Sequence, residues 1–194
     1  MTVADRTTYL DERSEAFVGE VLAAIDEHVP IVEAFLLGSG AAGGFDPKTS
    51  DVDLVVVVSR ALGAGRAALV EGLAAMAPPG RSLELVLYVE GHQPPDYELN
   101  VNKGEELTHE EPEPFWFVLD AAAAQERGVP MWGRRSWNDF FTAISPKRTR
   151  QAMQESLEWA QARSPENEFA RGHVVRARHY LDRGEWITKK EGQA

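Results

Sequence analysis

Asp51 and Asp53 stand one residue apart at the entrance to "LVVVV", residues 54–58 of this 194-residue chain. Side chains alternate along a strand, so both carboxylates point to the same face. A carboxylate carried into an apolar core without a partner is costly, so these two either stay at the wet strand end or are held by a cation. Glu84 stands inside "LELVLYV", on the next strand in the chain, and converges on the pair if the two strands are neighbours. Like charges that close raise one another's pKa, and a divalent cation removes the conflict. With oxygen donors and no histidine or cysteine nearby, that cation is magnesium, which takes one or two carboxylates and completes its shell on substrate phosphates. Gly38-Ser39 ends the preceding strand and opens a short helical segment. Such a turn offers backbone N–H groups and a hydroxyl to phosphate.

The elements that must position these residues follow from periodicity. Apolar residues at helical spacing from Glu12 predict an amphipathic helix that ends before Pro30. "IVEAFLL" reads as a strand stopped at Gly38, and "DLVVVV" as a strand buried on both faces. "GAGRAALVEGLAAMA" reads as a helix, "SLELVLYVE" as a third strand and "YELNVN" as a short fourth. Only helices follow: "EPFWFVLDAAAAQERG", a short one after Ser136, one capped by Ser145 with Pro146 at its first position, and one ending at Gly184. The expected fold is an α/β (α+β) domain with a small mixed sheet over residues 1–108, followed by an all-α helical-bundle domain over residues 109–194. The acidic, proline-bearing "GEELTHEEPEP" is the expected joint.

Composition narrows the partners. Hydrophobic residues make up 43% and charged residues 26%, as in an ordinary globular protein, and there is no cysteine for a disulfide or thiolate site. The first residues lack a signal-peptide pattern and no apolar run is long enough to span a bilayer, so a soluble cytoplasmic protein is expected, with no membrane partner. The formal charge of -11 argues against nucleic acid and favours a cationic small partner. Residues 1–146 hold 10 basic and 24 acidic residues, whereas residues 147–194 hold 10 and 7. An acidic body with a mildly basic end suits a site between a cation and a phosphate-rich ligand. The histidines show no metal-ligand spacing.

The ordered set in "LLGSGAAGGFDPKTSDVDLVVVV" resembles the signature of the polymerase-β-like nucleotidyltransferase superfamily. The rest of the chain is similar to the aminoglycoside adenylyltransferases that modify streptomycin and spectinomycin, through "LELVLYV", "FWFVLDAAAAQERGVPMWG" and "VVRARHYLDRGEWITKK". The resemblance implies AMP transfer from ATP to an antibiotic hydroxyl. It implies that Gly38, Ser39 and Ser50 contact the triphosphate, that Asp51 and Asp53 hold magnesium, and that Glu84 is the general base. It further implies that Arg176 and Lys189 bind phosphate and that Glu166 faces the aminoglycoside. The C-terminal domain is expected to be shorter than in that family. A nucleotidyltransferase acting on another small molecule, protein or RNA hydroxyl, or a non-catalytic nucleotide-binding relative, is the alternative.

Overall fold

A computed structural model describes residues 8–76, 82–102, 105–108, 112–163, 166–188 and 191–193. The chain opens with α1 (Glu12–His28), whose N-cap Asp11 accepts a hydrogen bond from the Ser14 N–H. Phe17, Val18, Val21, Leu22 and Ile25 form its buried stripe. β1 (Ile31–Leu36) leads into the five-residue helix α2 (Gly38–Ala42). β2 (Val52–Val58), α3 (Arg66–Ala75) and β3 (Leu83–Val89) form a strand-helix-strand crossover, so β2 and β3 run parallel. β4 (Leu99–Asn102) and the two-residue β5 (Glu105–Glu106) extend the sheet beyond β3.

The second half holds α4 (Pro114–Arg127), β6 (Val129–Trp132), α5 (Pro146–Gln161) and α6 (Glu168–Arg183). β6 was not expected. It pairs antiparallel with β1 and closes the six-stranded sheet in the order β5-β4-β3-β2-β1-β6. Pro130 sits in this strand because an edge strand tolerates a residue without an N–H. The expected helix after Ser136 contracts to a single 3-10 turn, Trp137–Asp139, closed by a capping box between Ser136 and Asp139. Phe140 and Phe141 leave the helical path and pack with Phe35, Tyr88 and Trp137 instead. Ser145 caps α5 and Gly184 ends α6 in the left-handed conformation, as the sequence indicates.

The sheet is covered on both faces. Leu54, Val56 and Val58 of β2 join Leu85 and Leu87 of β3 in a core under α1 and α3. Val55, Val57 and Tyr88, on the opposite face, pack with Phe117, Ala121 and Ala124 of α4. The same helix turns Phe115 and Leu119 the other way, into a core with Met153 and Leu157 of α5 and Ala177 and Tyr180 of α6. One helix thus joins the sheet to the helical layer.

Candidate active site

Asp53 and Glu84 are direct register partners across the parallel strands β2 and β3. Adjacent strands lie about 4.8 Å apart, so both carboxylates start from neighbouring positions on one face. Alternation places them on the face of Val55, Val57 and Tyr88, the face that α4 covers. On the far side of Glu84 its register partner is Asn102 of β4. The Asn102 Nδ2 reaches toward Glu84 Oε1 at 3.5 Å. Asp51 lies just before β2, and its Oδ1 accepts a hydrogen bond from the Ser82 hydroxyl at 2.9 Å. Ser82 in turn is anchored where β3 begins, its carbonyl accepting the Val52 N–H at 2.9 Å. Asp51, Asp53 and Glu84 are each half-buried at the sheet end. Four valines bury the rest of β2 on both faces, which holds the two aspartates in place.

The Gly38 turn is fastened to this row. The Leu37 N–H donates to the Asp53 carbonyl at 2.9 Å. Gly38 has φ +56°, and a Cβ there would lie 1.8 Å from Asp53 Oδ2. Only glycine allows the backbone to come this close to the carboxylate. Ser39 stands half-buried in α2, beside the aspartate. Ser50 is only 8% exposed. Its hydroxyl accepts the Asp46 N–H at 3.0 Å and closes the loop over residues 46–50 that delivers Asp51.

The helical layer approaches the same turn. Thr188 packs on Gly44, where a Cβ would stand 3.8 Å from the Thr188 Cβ. Arg176, on α6, is wedged against Gly192, where a Cβ would stand 3.2 Å from its Cγ. Burial pushes the Arg176 guanidinium below its usual pKa. Among the described residues no carboxylate pairs with it. A half-buried cation in that position is suited to an anion. Lys189 lies outside the described residues. Glu166 is exposed in the turn before Asn167, the N-cap of α6.

Three further residues belong to the site. Ser82 and Asn102 orient Asp51 and Glu84. Asp120, on α4, interacts electrostatically with Glu84 and with Tyr88. It is exposed to solvent, beside the α4 residues that pack on the sheet. The surrounding protein atoms, and secondarily the Glu84 charge, raise its carboxyl above the ordinary aspartate range. Its signal in the sequence was a lone acid in "FWFVLDAAAA", three residues after Phe117 and four before Ala124. An acid in a helix reads as a solvated position unless the helix is known to be covered on two sides.

The donor set fits magnesium. Among the described residues no group of three histidine, cysteine, aspartate or glutamate side chains forms a complete metal cage. Asp51 and Asp53 would instead offer two oxygen ligands on one side, leaving the remaining positions to water and substrate phosphate.

Residues 18–106 match the nucleotidyltransferase domain family. No curated protein matches the chain. Among solved structures, the fold is similar to that of spectinomycin adenyltransferase from Enterococcus faecialis, determined with ATP and spectinomycin. The TM-score is 0.70 at 17% identity, over 91% of this chain and 78% of that one.

Proposed function

We propose, from the match of residues 18–106 to the nucleotidyltransferase domain family, that the protein transfers AMP from ATP to a hydroxyl of a cationic, aminoglycoside-type antibiotic in a magnesium-dependent reaction. The observation that carries this reading is the register pairing of Asp53 with Glu84, with Asp51 on the same side of β2. It puts a metal-binding pair and a separate proton acceptor on one sheet face. The similar enzyme solved with ATP and spectinomycin supports both the nucleotide and the class of acceptor.

Asp51 and Asp53 would hold the metal, the first steadied by Ser82 and the second by the Gly38 backbone. Bound there, magnesium would neutralise charge on the triphosphate. Ser39 and the backbone of its turn face the phosphates, with Ser50 holding the loop that brings Asp51 to them. Glu84 accepts the proton of the acceptor hydroxyl as its oxygen bonds to the α-phosphorus. The bond between the α-phosphorus and its bridging oxygen breaks, and pyrophosphate leaves. Arg176, and Lys189 by the family resemblance, would supply positive charge to that leaving group. Glu166 contributes to the acceptor side from the helical layer.

Pyrophosphate release from ATP tests the reading. Streptomycin or spectinomycin is expected to stimulate release, and EDTA to abolish it. Release stimulated only by a protein or tRNA would assign a different acceptor. ATP binding with no release under any acceptor would leave a non-catalytic nucleotide-binding protein.

A further inference from the structure

Asp120 is a charged side chain facing the active groove for which the transfer reaction has no use. Its position follows from helix geometry. Phe117, Ala121 and Ala124 are buried against the sheet face that carries Val55, Val57 and Tyr88. Asp120 lies three residues after Phe117 and four before Ala124, so it emerges on the same flank of α4. Glu84 shares that sheet face with Tyr88, by alternation along β3. Asp120 interacts with both of them, which puts it across the groove from the proton acceptor.

Two carboxylates close enough to interact repel one another, and a counter-cation relieves the repulsion. Among the described residues no lysine, arginine or histidine forms an ion pair with Asp120. The magnesium pair on β2 serves the triphosphate, on the opposite side of Glu84 from Asn102. The space bounded by Asp120 and Glu84 therefore falls on the acceptor side. We propose that Asp120 is an acceptor-binding residue that pairs with an ammonium or guanidinium group adjacent to the reacting hydroxyl, and so sets the preference of the site for cationic acceptors. This inference rests on the adenylyl-transfer reading above.

A charged hydrogen bond of this kind is worth roughly one to two powers of ten in affinity. The test uses the full chain with ATP, magnesium, and streptomycin or spectinomycin as probes. Asp120→Asn keeps the shape and removes the charge. It is expected to raise the acceptor KM about 10- to 100-fold, with kcat and the KM for ATP changed less than about twofold. Asp120→Glu is expected to restore part of the acceptor affinity. With the acceptor amines acetylated, the native chain and Asp120→Asn should become alike. An unchanged acceptor KM in Asp120→Asn, or an equal loss in kcat and in the KM for ATP, would overturn the role of Asp120 alone. Failure of the native chain to transfer AMP to either probe would overturn the adenylyl-transfer reading, and this inference with it.

Discussion

At the residue scale, the chemistry depends on a small number of close contacts. The spacing of Asp51 and Asp53, and the presence of Glu84 on the following strand, were legible in the sequence because strand alternation fixes which side chains share a face. The register was not legible. Nothing local to β2 or β3 dictates that Asp53 stands opposite Glu84 rather than Val86, since crossover length and helix packing decide that. The need for glycine at position 38 was likewise hidden until Asp53 was seen against it. Gly38→Ala tests that contact. Alanine would have to adopt φ +56° with its Cβ 1.8 Å from Asp53 Oδ2, so the turn must move. The expected outcome is a loss of about 1–3 kcal/mol in urea unfolding and a large drop in AMP transfer. Glu84→Gln separates binding from chemistry. It should retain ATP binding by calorimetry while kcat falls about 10²- to 10⁴-fold, the range for removal of a general base.

At the scale of elements, α4 is the part with two duties. It packs Phe117 on the sheet side, stacked on Tyr97 at a centroid distance of 5.5 Å, and Phe115 and Leu119 on the helical side. Its existence was plain from the apolar run after Pro114, but its two-sided burial was not, because an all-round apolar helix does not announce its partners. β6 escaped notice for a different reason. "VPMW" is four residues long with a proline inside, and only its place beside β1 makes it a strand. The layer of α5 and α6 contains a buried histidine that gives a pH signature. His173 Nε2 lies 2.9 Å from the Ser156 hydroxyl, and its ring packs on Trp116 at 4.9 Å. Burial, with Arg176 nearby, pushes its pKa down to about 4 from an ordinary 6.5. Between those values the unfolded chain binds a proton that the folded chain refuses. Stability contributed by this residue is therefore full above pH 6.5 and is lost as pH falls toward 4. Unfolding free energies from urea titrations at pH 7 and pH 5 should differ by roughly 2 kcal/mol from this residue. The difference should shrink in His173→Gln.

At the scale of the whole molecule, charge is distributed as the proposed reaction would require. The chain carries a formal charge of -11, and the acidic excess lies in residues 1–146 while residues 147–194 are net basic. Arg176 belongs to the basic part, and Asp51, Asp53, Glu84 and Asp120 to the acidic part. This arrangement would favour the approach of the proposed cationic acceptor from the acidic side, an effect screened by salt over about 8–10 Å. The acceptor KM is accordingly expected to rise severalfold between low salt and 0.5 M potassium chloride, with little change in kcat. The general fold was legible because alternating strands and helices gave way to helices alone. Helix α4, which shares its faces between the two parts, could be seen only in three dimensions. The most direct test of the central claim follows the label when the protein is incubated with magnesium and streptomycin or spectinomycin, using ATP labelled in turn at the α- and γ-phosphates. α-Label is expected to move to the antibiotic and γ-label to leave in pyrophosphate, and Asp51→Ala, folded by circular dichroism, is expected to transfer neither. γ-Label on the antibiotic, or full transfer by Asp51→Ala, would contradict the claim.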